Sequence, residues 1–339
     1  MSLKSTEVKY LIRILKAPLI SIQDRGRYGY QKYGVPTSGY VDEYSAILTN
    51  YLAGNNTDTP LLEFAFGNVE LKFLEPAVFA VGADAEIRLN DESIEPWKTH
   101  KAKNGDVLRI GELRSGMYGY ISFRGGLRCK KILGSCSTYP RAGFGRYLRE
   151  GDVLELEHNQ HSSISNILPV ELIPRYNEKT TVRVVLGPQE EHFAPEGIET
   201  FLSSEYEVTK DSDRMGYRLE GEKIKHSEKG ADILTDAVPL GSVQVPAHGN
   251  PIVMLADRQT TGGYAKIGVV IRADVWKVAQ TPIGGKIRFV KVSIKEARDI
   301  WLRTWNILKS VKRYFEGKVR GFRVRVGEDE FLAFVEEIV

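Results

Sequence analysis

The densest group of chemically useful residues follows a short apolar stretch in the second half of the sequence. Residues 251–256 are mostly apolar and run directly into Asp257-Arg258-Gln259-Thr260-Thr261-Gly262-Gly263. A strand that ends in charged and hydroxyl side chains can place a site on a rigid edge, and adjacent glycines let backbone N–H groups approach a ligand closely. We predict a catalytic role for Asp257, Arg258 and Gln259 and substrate binding by Thr260, Thr261, Gly262 and Gly263. On chemistry alone, a hairpin corner explains the same residues equally well.

A second Asp–Arg pair lies earlier in the same half, at Asp213-Arg214, before Met215-Gly216-Tyr217. Burying two such pairs is costly unless they bind one another or a ligand. We therefore expect Asp213 and Arg214 to join the catalytic group. The planar guanidinium of Arg258 would hold a carboxylate or a developing negative charge, with Asp257 orienting it. The competing interpretation is that these ion pairs only brace the fold.

Two segments of the first half combine charged side chains with glycines. One is Ser21-Ile22-Gln23-Asp24-Arg25-Gly26-Arg27, and the other runs from Ser135 to Arg146. We predict that substrate binding involves Gln23, Asp24, Arg27, Tyr139 and Arg141, the last two reaching into the site from the first half. The alternatives are a turn-rich loop whose Asp and Arg pair with each other, and a solvated surface loop.

Composition and missing motifs exclude several classes of function. The chain has 339 residues with a formal net charge of +3, so charge alone suggests neither a nucleic-acid nor a membrane partner. A polar N-terminus and the lack of a long apolar run predict a cytoplasmic protein. The sequence has no P-loop, no nucleophile elbow and no biotin attachment site, and it suggests no metal site. We expect Cys129 and Cys136 to be reduced and partly buried.

Most of the chain shows the alternation of apolar and polar residues that is typical of β-strands, as in residues 69–73, 107–110, 153–156, 182–186 and 286–290. This favours a mainly β protein of barrels or sandwiches. Helices are predicted at 41–52 and, as an amphipathic C-terminal helix, at about 294–315, followed by a hairpin at 322–326 and 331–335. The polar residues 158–179 predict a linker. The expected domains are residues 8–160 and 180–293, with a C-terminal extension at 294–339.

Together these segments resemble the allophanate hydrolase subunit 2 family, also called the biotin-dependent carboxyltransferase or KipA-type family. The resemblance covers about residues 14–292. It is carried by Ile22-Gln23-Asp24-Arg25-Gly26-Arg27, Gly34-Val35-Pro36-Thr37-Ser38-Gly39, Arg141-Ala142-Gly143-Phe144-Gly145, Ser212-Asp213-Arg214-Met215-Gly216 and Ala256-Asp257-Arg258-Gln259-Thr260-Thr261-Gly262-Gly263-Tyr264. His248-Gly249-Asn250 and the corner at residues 280–285 depart from the family's usual pattern.

The resemblance implies two tandem cyclophilin-like β-barrels. Stand-alone members are similar to the C subunit of a prokaryotic 5-oxoprolinase, a hydrolase that consumes ATP to open 5-oxoproline to L-glutamate. That implies partner subunits A and B, with B like allophanate hydrolase subunit 1, no ATP site identifiable on this chain, and no activity without the partners. The alternatives are half of a biotin-dependent carboxyltransferase acting on urea or a related amide, and a regulatory protein that antagonises a kinase inhibitor.

Overall fold

A computed structural model describes residues 10–157, 164–327 and 329–336, and it is mainly β as expected. The predicted linker residues 158–163 and the ends of the expected domains at 8–9 and 337–339 lie outside the described residues. No helix in the described ranges has the length and apolar character needed to cross a membrane.

The first half is a nine-stranded antiparallel sheet that curls around its own apolar core. Its long strands β5 and β8 pair along most of their length, and the sheet order is β2-β3-β8-β4-β1-β9. Helix α1, Glu43–Leu52, lies in the connection between the second and third strands. It begins two residues later than predicted, because Asp42 is its N-cap and its carboxylate accepts from Ser45 N. The strands are β1 Leu11–Lys16, β2 Ile20–Gln23, β3 Leu61–Ala65, β4 Gly67–Phe73, β5 Ala77–Leu89, β6 Glu92–Ile94, β7 Thr99–Ala102, β8 Val107–Phe123 and β9 Val153–Glu155.

This sheet curls into a half-barrel, and its end strands β2 and β9 do not pair with each other. The connection between β8 and β9 covers both edges instead. Thr138 N donates to Ile22 O of β2 at 2.9 Å, and Arg128 N donates to Glu155 O of β9 at 2.7 Å. Because the irregular loop between β8 and β9 covers the edges of β2 and β9, these edges are protected from pairing with other chains, as they would be by a further strand.

The same connection contains both cysteines. The structure joins Cys129 to Cys136 in a disulfide, with their Cα atoms 5.8 Å apart. The expectation of two reduced thiols is therefore wrong. The pair links two points of one loop rather than two elements, and alternating strand patterns carry no information about such a contact.

The second half is a closed barrel with strand order β10-β17-β14-β15-β12-β11-β18, and only β10 and β18 pair in parallel. A separate two-stranded sheet, β13 with β16, is called the flap below; Ile233 of β13 packs against the apolar core of the barrel. The strands are β10 Lys179–Leu186, β11 Glu205–Val208, β12 Gly216–Glu220, β13 Asp232–Ala237, β14 Ser242–Gln244, β15 Ile252–Met254, β16 Thr261–Tyr264, β17 Lys266–Val270 and β18 Lys286–Lys291. The helices of this half are α2 Pro195–Ser203 and α3 Val275–Gln280.

The C-terminal extension consists of helix α4, Ile294–Phe315, and a hairpin of β19 Arg320–Val326 and β20 Asp329–Val335, as the sequence predicts. Ser293 and Glu296 form a capping box at the start of α4. Leu308 and Val311 are fully buried in a cluster that includes Ile47 and Leu48 of α1. Helix α4 therefore packs against the first half of the molecule.

The two halves are joined by hydrogen bonds as well as by apolar packing. The Gln280 side chain, at the end of α3, accepts from Met117 N at 2.8 Å and Tyr118 N at 3.0 Å of β8, and donates to Asp42 Oδ2 at 2.9 Å. Gln280 opens the corner where the sequence departs from the family pattern. In this chain that corner ties the barrel to the first sheet.

Candidate functional site

A tight turn after β15 contains Asp257, Arg258 and Gln259. Their side chains point in three different directions. Asp257 N donates to Arg214 O at 2.9 Å, and Arg258 N turns back to Leu255 O at 3.2 Å. The three neighbouring residues therefore contribute to different surroundings, and they do not face one shared pocket.

Asp257 turns inward to a buried cluster with Arg214 and Glu63 of β3. Arg214 donates through Nε to Asp257 at 2.9 Å, through Nη1 to Glu63, and through Nη2 to Gly39 O at 2.6 Å. The three charged side chains are at most 9% exposed. Burial acts to lower the pKa of Arg214, but the charges of Asp257 and Glu63 more than offset it. This arrangement has the geometry of a brace between the halves, and the catalytic role of Arg214 stays a prediction.

Asp213 lies on the outer side of this cluster, where the first half does reach across. Arg141 Nη2 approaches Asp213 Oδ2 at 3.3 Å, and both side chains are more than half exposed. Tyr139 is half-buried beside them, and burial together with the charge of Asp257 raises its pKa. The structure thus brings Tyr139, Arg141 and Asp213 together, as predicted, on an open surface.

Arg258 points the other way, into a cavity of about 220 Å³. Its guanidinium donates to Val238 O at 2.9 Å, Leu255 O at 3.3 Å and Thr37 Oγ1 at 3.4 Å, all uncharged acceptors. Within the described ranges, no carboxylate pairs with it. Burial lowers the pKa of Arg258 to about 10, so it remains a cation at neutral pH.

The cavity is walled by both halves and by α4. Glu43 of α1 pairs there with Arg25 at 3.4 Å and with Arg272 at 2.9 Å. Two indole rings add apolar walls: Trp276 stacks on Tyr44 with ring centroids 5.6 Å apart, and Trp301 of α4 lies 4.5 Å from the Arg272 guanidinium carbon.

Sequence reasoning assigned no role to most of these residues. Thr37 and Ser38 belong to a glycine-rich string that could have pointed to the site, since glycines often surround binding loops. Arg272, Trp276 and Trp301 carry no such signal, because they converge only after the chain folds.

Gln259 leads into β16, one of the two strands of the flap. Gln259 Nε2 donates to Gln244 Oε1 at 3.2 Å, and Thr260 O accepts from Val238 N at 2.9 Å. Thr261, Gly262 and Gly263 lie in β16. A Cβ atom on Gly262 would lie 2.7 Å from Gln244 Nε2, so a larger residue here would displace the end of that side chain.

The remaining predicted residues hold the loop between β8 and β9 in place. The Asp24 carboxylate accepts from Gly26 N, Ser135 Oγ, Cys136 N and Ser137 Oγ at 2.6–2.8 Å.

Arg27 and Gln23 make further contacts with the same loop. Arg27 donates to Ser137 O, and its guanidinium carbon lies 4.7 Å from the centre of the Phe144 ring. Gln23 donates to Ser21 Oγ and Thr138 O. None of the three lines the cavity around Arg258. Their substrate-binding role stays a prediction, and their contacts favour the turn-rich loop.

Comparison with known proteins gives concordant matches. Residues 33–291 match the family described as carboxyltransferase domain, subdomain A and B. The C subunit of 5-oxoprolinase from Haemophilus influenzae is 33% identical, over 88% of this chain and 96% of that protein. The protein of the same name from Escherichia coli is 32% identical, over 85% and 93%. The crystal structure of Kluyveromyces lactis urea amidolyase superposes with a TM-score of 0.83 at 30% identity, over 91% of this chain but only 20% of that one.

Proposed function

The chain belongs to the carboxyltransferase domain family with subdomains A and B, and from that membership we propose that it is the C subunit of an ATP-dependent 5-oxoprolinase. The observation that carries the proposal is the alignment with two proteins of that name over nearly their whole length. In the urea amidolyase the corresponding region is a small part of a much longer chain.

The proposed reaction opens the lactam of 5-oxoproline to L-glutamate. An amide is a poor electrophile, so ATP would phosphorylate the carbonyl oxygen and release ADP. A first water then adds to that carbon, the C–N bond breaks and the nitrogen takes up a proton, which leaves an acyl phosphate. A second water hydrolyses the acyl phosphate to the carboxylate of L-glutamate and phosphate. Negative charge on substrate and intermediate calls for fixed cationic donors. Arg258, a half-buried cation with no carboxylate partner in the described ranges, supports such a role.

The complex would contain at least two further proteins, subunits A and B. The sequence has no P-loop, so we place the nucleotide site on a partner subunit. The exposed pair Arg141 and Asp213, with the half-buried Tyr139 beside it, lies at the surface, where a partner could complete a site.

Reconstitution tests this proposal. We expect the purified chain alone to hydrolyse no ATP in response to 5-oxoproline, and to support coupled ATP hydrolysis and glutamate release when mixed with its A and B partners. Omitting each protein in turn is the control. Robust activity from this chain alone would refute the proposal.

A second candidate is half of a biotin-dependent carboxyltransferase, favoured by the close superposition on urea amidolyase. The same preparations can decide between the two. Transfer of a carboxyl group from carboxybiotin to urea or a related amide, with no 5-oxoproline-dependent ATP hydrolysis, would establish this second function instead.

A further inference from the structure

Two polar groups at the cavity around Arg258 are available to a ligand. Arg258 is the first, since it meets only uncharged oxygens. The second is the hydroxyl of Ser38, a residue 6% exposed that also lines the cavity. Its Oγ is buried and has no hydrogen-bond partner among the residues that the structure describes. A buried hydroxyl without a partner and a partly buried cation without a paired carboxylate both cost free energy, which a ligand with matching acceptors would recover.

The charge of the lining indicates the sign of that ligand. Arg25, Arg258 and Arg272 contribute three positive charges, and Glu43 contributes one negative charge. Glu43 is shared by Arg25 and Arg272, so it does not neutralise Arg258. A partly buried guanidinium without a paired carboxylate favours an anion, and its Nη2 group, which donates in none of the three hydrogen bonds above, can donate to a carboxylate.

The apolar part of the lining indicates the ligand's shape. Trp276 and Trp301 offer flat aromatic surfaces, and Leu308 adds an aliphatic one. A volume of about 220 Å³ is small for a ligand pocket and suits a single small ring. Trp301 and Leu308 belong to α4, which begins after the family match ends at residue 291.

We infer that this cavity binds a small cyclic amide carrying a carboxylate, with Arg258 and Ser38 holding the carboxylate and Trp301 of the C-terminal helix packing against the ring. The inference rests on the proposed function, in which 5-oxoproline is a molecule of this kind. Helix α4 is then part of the substrate site and contributes to its specificity.

Calorimetric titration of the full chain, alone and in the reconstituted complex, tests the carboxylate contact. We expect 5-oxoproline to bind, and 2-pyrrolidinone, the same ring without the carboxylate, to bind about tenfold to a hundredfold more weakly. Arg258→Gln should weaken the binding of 5-oxoproline by a similar factor. Arg258→Lys should restore little of that affinity, because an ammonium is a point charge. Arg288→Gln, on the exposed face of β18, is the matched control and should bind normally.

A second pair of variants tests the helix. Trp301→Ala should weaken 5-oxoproline binding and raise its KM in the complex, while Leu302→Ala, the exposed neighbour on α4, should change neither. Ser38→Ala should weaken 5-oxoproline more than 2-pyrrolidinone, since only the former has the carboxylate. Thermal melting of each variant separates lost contacts from lost folding.

The outcomes distinguish this inference from the proposed function. If the complex hydrolyses ATP with 5-oxoproline but Arg258→Gln and Trp301→Ala leave affinity and KM unchanged, the inference is overturned and the function stands. If binding follows the expected pattern but no such ATP hydrolysis exists, the site stands and the function fails. Binding of free biotin without binding of 5-oxoproline, or binding of neither, would overturn the inference.

Discussion

Consecutive residues in a turn need not act together, as residues 257–259 show. The sequence places Asp257, Arg258 and Gln259 side by side, and their types predict a polar site. Whether their side chains converge depends on backbone direction after β15, which residue types do not specify. The structure separates them into a buried brace, a cavity lining and a contact of the flap.

Arg214 provides a direct test of the bracing interpretation. Replacing it by Met would leave Glu63 and Asp257 buried without their counter-charge, which costs about 3–5 kcal/mol in other buried pairs. We expect Arg214→Met to lower the free energy of unfolding by an amount of that order in urea denaturation. Arg218→Met, exposed on β12, is the control and should have little effect. If Arg214→Met is as stable as the wild type but supports no turnover in the complex, Arg214 has a catalytic role instead.

Asp42 makes stability depend on pH. Its carboxyl is completely buried at the start of α1, and burial raises its pKa to about 6, against hydrogen bonds from Ser45 and Gln280 that act to lower it. An aspartate in an unfolded chain titrates at about pH 4. Between those values the folded protein holds a proton that the unfolded chain has released, so stability falls as the pH rises through this window.

The size of this effect can be measured by comparison with Asp42→Asn, which does not titrate. We expect wild-type protein to lose about 2 kcal/mol relative to Asp42→Asn between pH 4 and pH 7. Urea denaturation at both pH values gives the difference, and any constant cost of the substitution cancels. An equal change in both proteins would show that folding does not shift the pKa of Asp42.

At the scale of elements, the spacing of apolar and polar residues predicts the positions of most strands and helices. The predicted strands, the helix after Asp42, α4 and the C-terminal hairpin are all present, because one apolar face per element is a local property of the sequence. The open first sheet was not predictable in this way. Its edges are covered by backbone of an irregular loop, and hydrogen bonds between main-chain atoms leave no pattern of residue types.

Helix α4 should depend on a few buried contacts, since most of its surface is polar. Leu308 is 1% exposed, whereas Leu302 on the same helix is 44% exposed. We expect Leu308→Ala to lower the free energy of unfolding by about 2–5 kcal/mol, and Leu302→Ala to change it by less than about 0.5 kcal/mol. Equal effects of the two substitutions would mean that α4 is not docked on α1.

At the scale of the whole molecule, the two halves share one apolar core cluster in addition to the contacts of Gln280 and Arg214. We therefore expect them to unfold together. Urea transitions followed by far-ultraviolet circular dichroism and by tryptophan fluorescence should coincide, because Trp97 reports on the first half and Trp276 on the second. Two resolved transitions would show that the halves are independent.

Glu63, Arg214 and Asp257 also restrict how the gene can change. The guanidinium comes from one half and one of its two carboxylates from the other. A chimera that joins halves from two distant relatives would keep these buried ion pairs only if both parents carried the matching side chains. Substitution of any one of the three would have to be followed by a change in another, so these positions should vary in concert and recombination across the middle of the gene should be rare.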